Sequence, residues 1–225
     1  KWDPDIVLTM ESDFEWENAL NQLSEDYPYS VKAANNHYYG MHLYSRIELL
    51  NTEVKYLVED RVPSIYFDLE FLERPLSFCC LHPAPPSPTE NKTSEERDAE
   101  LMKAGKYIRS LDKSAVICGD MNDVVWSRPT RLFKKLTGMI DPRVGRGFFP
   151  TYHARYPFMR FPLDHLFHTQ DLKVGKMKRT PYFGSDHFGM YYEIHRKKKI
   201  EVPENPIIEK EEIDEINELI IQVEA

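Results

Sequence analysis

The chain has 225 residues, 29 lysines and arginines against 37 aspartates and glutamates, and a formal net charge of -8. Nine of the acids and a single base lie in the last 25 residues, which leaves 28 of each sign in residues 1–200 and places the acidity in a tail. A neutral body argues against a protein that coats nucleic acid by bulk charge, 41% hydrophobic and 12% aromatic residues exclude a disordered chain, and no run approaches the roughly 18 apolar residues of a spanning helix.

The chain opens almost at once on a buried strand, Asp5 to Met10, ending at Glu11. Lys1 is not an initiator methionine, and a start so close to a core strand predicts a fragment of something longer; no secretory leader pattern is present. Apolar residues at 16, 19, 20 and 23 predict a helix over Phe14–Leu23, with Asp13 as its N-cap. Strands follow over Tyr38–Tyr44, Val54–Val58, Ser64–Leu72 and Leu76–Leu81. Residues 83–98 read as an exposed loop, leading into a helix over Ser94–Ser110. Ala115–Gly119 is a short buried strand, Pro129–Leu136 a short helix with proline in its first turn, and Leu163–His168 and Met190–His195 are the last strands. Cys79 and Cys80, inside an apolar run, point to opposite faces of their strand and, like Cys118, read as small buried hydrophobes. Strands bunched together with few helices between them predict an α+β fold of packed sheets with helices outside. The division is a body over residues 1–198 and an acidic, amphipathic tail over 199–225. The tail follows the basic run Arg196–Lys199 and carries apolar residues at helical spacing from Ile207 on, a face for docking on the body, for self-association or for a partner.

Polar residues recur at strand ends: Glu11, His82, Asp120 with Asn122, Asp164, and the pair Asp186 and His187. Strand ends at one edge of a sandwich converge, so these side chains share a predicted cleft. Carboxylates and an amide are hard oxygen donors suited to a Mg²⁺-like ion, while histidines serve acid–base work or phosphate oxygens. Together they point to metal-assisted attack of water on a phosphoryl group. No H-E-x-x-H, C-x-x-C or P-loop is present, which disfavours a zinc hydrolase or a nucleotide-driven enzyme.

In order along the chain, Asp3-Pro4-Asp5-Ile6-Val7 through Glu11, Gly40 to Arg46, Leu81-His82-Pro83, Gly119-Asp120-Met121-Asn122, Pro162-Leu163-Asp164-His165 and Gly184-Ser185-Asp186-His187 resemble the endonuclease/exonuclease/phosphatase superfamily, the deoxyribonuclease-I-like fold. Trp126-Ser127-Arg128-Pro129 and Thr151-Tyr152 resemble a bacterial branch often found as the soluble end of membrane-anchored proteins. The resemblance implies a four-layer α/β sandwich and metal-dependent hydrolysis of phosphate esters, with Mg²⁺ as the ion and Mn²⁺ or Ca²⁺ as its alternatives. It implies Glu11 as a metal ligand, Asp186 as a second ligand or a support for His187, Asp120 orienting or deprotonating water, and Asn122 positioning water or phosphate. It also implies His187 contacting the scissile phosphate with Asp164 setting its tautomer, and His82 as a second phosphate donor or acid. The family's first strand, which carries an Asn near the metal, lies upstream of Asp-Pro-Asp, where this chain has two residues, so the core sheet is expected to lack it.

Further candidates for the substrate are Arg46, Trp126, Arg155 and Arg160, weighed against an ion-pair role for Arg46, a core role for Trp126 and a solvated loop for the two arginines. Tyr39 lies where some relatives place a group that supports a histidine, but reads rather as a half-buried strand residue; His165 reads as support behind the site, and His37, His42, His153, His168 and His195 as structural. The substrate is a phosphate ester: nucleic acid, phospholipid head group or small molecule. The rival reading is a non-catalytic module of the same fold that binds through its cleft or tail.

Overall fold

The structure, a computed structural model, describes residues 2–87, 91–111, 113–198 and 206–224. Lys199, the tail's first acids Glu201 and Glu204, and loop residues 88–90 lie outside this set. The centre of the molecule is a five-stranded sheet in the order β4 (Leu50–Lys55), β5 (Ser64–Glu70), β6 (Pro75–Leu81), β7 (Ser114–Asp120), β8 (Asp164–His168). All neighbours are antiparallel except β6 and β7. A parallel pair needs a long crossover, which α2 (Glu95–Ser110) supplies. A second layer holds β2 (Tyr29–Ala33), β3 (Met41–Ser45) and β1 (Ile6–Met10) in the order β1-β3-β2, and β10 (Met190–Arg196) paired with β9 (Leu172–Arg179).

Strand periodicity divides the core in two. Tyr66, Cys79, Leu81, Ile117 and Phe167 face α2 and α3 (Arg128–Thr137), whereas Ile65, Phe67, Phe78, Cys80, Val116 and Leu166 face the second layer. Cys79 and Cys80 thus serve opposite cores, and all three cysteines are free thiols. On the outer face of the second layer lies α1 (Phe14–Leu20), tied down by Glu17 to His42 and by Asn21 to Lys32. Helix, sheet, sheet, helices is the expected four-layer sandwich.

Several boundaries differ from the sequence reading. Helix α1 is capped by Asp13, whose carboxylate accepts from the Glu15 and Trp16 amides, but it tightens at Asn21 into a 3-10 turn over Asn21–Glu25. β3 starts only at Met41, after a turn that ends at Gly40, where an added Cβ would lie 1.9 Å from the Ser12 carbonyl oxygen. β4 runs over Leu50–Lys55, ahead of the predicted Val54–Val58. Strands β2 and β9 escape the sequence reading because they are one-sided strands with Lys and Ser on the open face; of β9 only Leu172, Val174 and Met177 point inward.

β1 and β10 share no ladder. A cavity of about 580 Å³ separates them, floored by Phe67, Phe78 and Leu166 and reaching Asp164 at one end. Trp2 bridges one flank by packing on Tyr191, ring centroids 5.1 Å apart.

The tail forms α4 (Lys210–Ile221), opened by a capping box between Glu209 and Glu212. Its apolar stripe is used on the body: Ile216 and Ile220 join the core against α2 and α3. Its acids meet bases there, Glu212 with Lys135 at 2.6 Å, Glu215 with Arg128 at 2.5 Å and Glu224 with Lys103 at 2.8 Å. Arg196, the first residue of the basic run upstream, is also engaged, binding Asp171 at 3.0 Å and the Phe71 carbonyl.

Two stability measurements follow from this packing. Ile216→Ala should cost about 2–4 kcal/mol in urea unfolding, whereas Ile221→Ala, at a 61% exposed position, should change it by less than about 0.5 kcal/mol. If the tail floated free, the two would be alike. Separately, burial raises the pKa of Glu100 to about 8, although the Ser64 hydroxyl donates to it. The folded state therefore favours the protonated acid, and this stabilisation is full below the ordinary 4.5 and lost as pH rises through about 8. Glu100→Gln, which keeps a neutral acceptor, should flatten the fall in melting temperature across that window.

Candidate active site

The site grows from one register position. β7 and β8 run antiparallel with Asp120 opposite Asp164, so the sheet sets two carboxylates side by side at one edge. Beside them β6 delivers His82, because Leu81 pairs with Gly119. That pairing requires glycine: Gly119 has φ +140, and a Cβ there would lie 1.9 Å from the Leu81 carbonyl oxygen. The second layer meets the same edge through Met10, whose sulfur accepts from the Asp120 amide at 3.3 Å.

His187 arrives from the loop before β10 and lies between the two carboxylates. Its Nδ1 is 2.8 Å from Asp164 Oδ2 and its Nε2 3.4 Å from Asp120 Oδ2. Burial opposes a charged imidazole, but the Asp164 hydrogen bond and the Asp120 and Asp164 charges outweigh it and raise the His187 pKa to about 9. The bond to Asp164 fixes the tautomer and leaves Nε2 toward Asp120 and the cleft. Asp120 is 5% exposed, and burial, then the charge of Asp164, raise its pKa to about 7 against the lowering effect of His187; Glu11 adds to the rise. Asp120, Asp164 and His187 have ligand atoms within 4.8 Å of one another.

Glu11 and Asn122 face this knot from two corners, and both have left-handed backbones, φ 57 and φ 48, which non-glycine residues adopt only when held. Asn122 is held by its amide on the Asp120 carboxylate at 2.9 Å, its side chain on the Pro83 carbonyl at 3.0 Å, and its carbonyl on Arg97 at 2.9 Å. The Glu11 corner is held through Ser12. The Ser12 amide donates to Gly40, its hydroxyl lies 2.7 Å from His42 Nδ1, and His42 Nε2 lies 3.2 Å from Glu17. His82 is buried, with Nε2 3.9 Å from Glu11 Oε1, and burial lowers its pKa to about 4. Its Nδ1 has no hydrogen-bond partner among the described residues.

Asp186 is exposed and stands outside the Asp120–Asp164–His187 group, although its carbonyl accepts from the Ala154 amide and so seats the neighbouring loop beside His187. Arg46 is not brought to the site. It follows β3 opposite Asp5, at the far end of β1 from Glu11, where it pairs with Asp3 at 2.7 Å over the Tyr27 ring. Trp126 is exposed and stacks on Phe148 at 5.7 Å. Arg160 is half-buried over Phe188 and donates to the Ala154 carbonyl at 3.4 Å, while Arg155 lies exposed beside Tyr156 and Tyr182.

Four side chains support the site, and of these Arg143 and His42 were missed by the sequence reading. Arg143 makes a buried pair with Asp141, Nε to Oδ1 at 2.9 Å, reaches the Asp164 carbonyl at 3.4 Å and donates to His165 Nδ1 at 3.0 Å. His165, kept neutral by burial with its pKa lowered to about 4, donates onward from Nε2 to the Asp123 carbonyl at 2.8 Å. Tyr39 is buried rather than half-buried and lies outside β3; its ring packs on His82 at 5.5 Å. His42, read as merely structural, proves to anchor the Glu11 corner. Only Tyr39 and His42 carried a signal, their place in the Gly40 segment; Asp141-Pro142-Arg143 has none.

The chain belongs to the Endonuclease/Exonuclease/phosphatase family, whose sequence pattern matches residues 1–187. That membership marks it as a hydrolase of the nuclease and phosphatase kind, served by a divalent metal. The fold is shared with D. rerio TDP2 complexed with single-strand DNA product, at TM-score 0.71 and 16% identity over 85% of this chain and 86% of that one. It is also similar to the endonuclease/exonuclease/phosphatase from Bacteroides vulgatus, at TM-score 0.69 and 17% identity over 86% and 85%. The human nocturnin catalytic domain with bound sulfate matches at TM-score 0.65 and 17% identity over 86% and 82%. No curated protein sequence matches the chain. Among the described residues no helix is long and apolar enough to cross a membrane.

Replacing Asp164 by Asn removes the hydrogen-bonded charge that holds the His187 proton. In the metal-free protein the His187 pKa should fall from about 9 toward or below the ordinary 6.5, read by NMR titration of the imidazole. The stabilisation from this ion pair, full below 6.5 and lost as pH rises through about 9, should disappear from the stability–pH profile.

Proposed function

We propose that the chain hydrolyses a phosphate ester by metal-assisted attack of water, with a Mg²⁺-type ion. The observation that carries this is the geometry at one edge of the sheet, where His187 lies 3.4 Å from the buried Asp120 carboxylate and 2.8 Å from Asp164, which raises the imidazole pKa while burial raises that of Asp120. Near neutral pH Asp120 can take a proton from water, and His187 stays cationic to meet the negative phosphoryl oxygens. Asp164 holds His187 in that state, and Asn122 orients water or phosphate. His82, neutral at physiological pH, serves as a second donor to phosphate oxygen through Nε2, the nitrogen on the Glu11 side.

The residues fit a hard divalent ion. Glu11, Asp120 and Asp164 are close enough that both neighbours raise the Asp120 pKa, a group of carboxylate oxygens of the kind such an ion takes. Glu11 and Asp186 are the ligands we assign, with Asp120 and Asn122 within the same cleft; the ion supplies positive charge against the developing phosphoryl charge. The exposed Trp126 edge and Arg155 and Arg160 form the outer substrate rim. The single-strand DNA product in the TDP2 neighbour and the sulfate in nocturnin support an anionic ester as the substrate class.

The test is hydrolysis of bis-p-nitrophenyl phosphate with Mg²⁺, before and after chelation. Chelation should abolish turnover, and Asp120→Ala and His187→Ala should each lower kcat by about 10²–10⁴-fold. Turnover that survives chelation and both substitutions would remove this site from the reaction. Arg46→Ala, far from the knot, should leave kcat unchanged.

A further inference from the structure

Helix α1, on the outer face of the second layer, has no buried residue, and its Phe14 and Trp16 stand more than half exposed, so it closes no core. It nevertheless reaches into the body. Glu17 meets Nε2 of His42 at 3.2 Å, and His42 is wholly buried in β3. A carboxylate only accepts, so in the neutral ring Nε2 carries the hydrogen and Nδ1 accepts from the Ser12 hydroxyl at 2.7 Å. The Thr9 hydroxyl, 3.1 Å from that of Ser12, supplies the hydrogen that Ser12 then accepts. Glu17, His42 and Ser12 thus form one hydrogen-bonded chain from a solvent-facing helix, through the second layer, to the end of β1.

The chain ends on the residue that fixes Glu11. With φ 57, Glu11 has a backbone that a glutamate keeps only under constraint. Ser12 supplies that constraint from three directions. Its amide donates to the Gly40 carbonyl at 3.0 Å, and its own carbonyl oxygen lies so close to Gly40 that a Cβ there would stand 1.9 Å away. Its hydroxyl is held by His42. The first two contacts are main chain against main chain and are open to many side chains at position 12. The third is built from side chains and selects one conformation of Ser12, hence of the peptide that leaves Glu11. Groups that hold a metal ligand in its orientation commonly change affinity by about ten- to a hundredfold. A histidine that only filled the core could be exchanged for an apolar residue with no effect on the ion.

We propose that the Glu17–His42–Ser12 chain sets the affinity of the site for its divalent ion by holding Glu11 in place, with His42 as a positioning residue and α1 as its outer support. The proposal rests on the reading of Glu11 as a metal ligand. Its test is binding of Mn²⁺ to the 225-residue chain without substrate, read from the electron paramagnetic resonance signal of the free ion. His42→Leu should weaken binding about tenfold or more, and His42→Asn, whose amide oxygen can stand in for Nδ1, should restore part of the loss. Glu17→Ala, at a partly exposed position, should weaken binding about threefold. Asn21→Ala, which cuts only the tie of the same helix to Lys32, should leave binding unchanged, and the two helix variants should melt alike. Glu17→Ala decides alone if His42→Leu does not fold. Wild-type affinity in Glu17→Ala overturns the proposal and leaves the metal assignment standing. Equal losses in Glu17→Ala and Asn21→Ala also overturn it, since they trace the effect to the docking of α1 as a whole. No Mn²⁺ binding by the wild type overturns the assignment of Glu11 and the proposal with it.

Discussion

Two carboxylates at one register position of a buried sheet edge repel each other, and His187 lets Asp120 and Asp164 stay there together. Neither acid could be buried charged without a counter-charge. The imidazole between them, 2.8 Å from one and 3.4 Å from the other, resolves the conflict by holding its proton to about pH 9. The loop that brings His187 is seated in turn on residues 151–154, and the Asp164 backbone is braced by Arg143. Much of the chain between β7 and β10 is thus arranged around one proton. Strain collects nearby: Glu11 and Asn122 both have left-handed backbones that their neighbours over-determine.

The same edge shows why a divalent ion and a phosphate suit this protein. His187 compensates Asp120 and Asp164, and Glu11 also raises the Asp120 pKa. The site therefore combines one built-in cation with a group of oxygen donors. In the proposed reaction the first meets the ester and the second holds the metal. The cavity between β1 and β10 ends at Asp164, so the two free strand edges and the chemistry share a wall.

Electrostatics also explain the uneven distribution of charge along the chain. Glu212 and Glu215 of α4 and Glu224 just after it meet Lys103, Arg128 and Lys135 on α2 and α3, while the isoleucines of α4 close the core beneath. The acidity that stands apart in the sequence is, in three dimensions, the counter-charge of a basic helical face. The apolar stripe that could have served a partner lies against the body.

Much of this was legible in one dimension. Strand periodicity sorted Cys79 from Cys80 and placed Asp120, Asp164 and His82 at strand ends, because alternation and burial are local properties of a sheet. The order Gly-Asp-Met-Asn, Leu-Asp-His and Ser-Asp-His led to the family, since each motif is a short backbone solution to presenting one side chain. Strands β2 and β9 stayed hidden because a one-sided edge strand carries too few apolar residues to show a period. The sequence by itself determined the layered α+β class, the residue types of the site and the presence of an amphipathic tail helix. Only the tertiary structure decided that Arg46 stands at the far end of β1, that His42 and Arg143 buttress the site, and that the tail closes the core. Those outcomes depend on register and on contacts between segments dozens of residues apart, which no local pattern encodes.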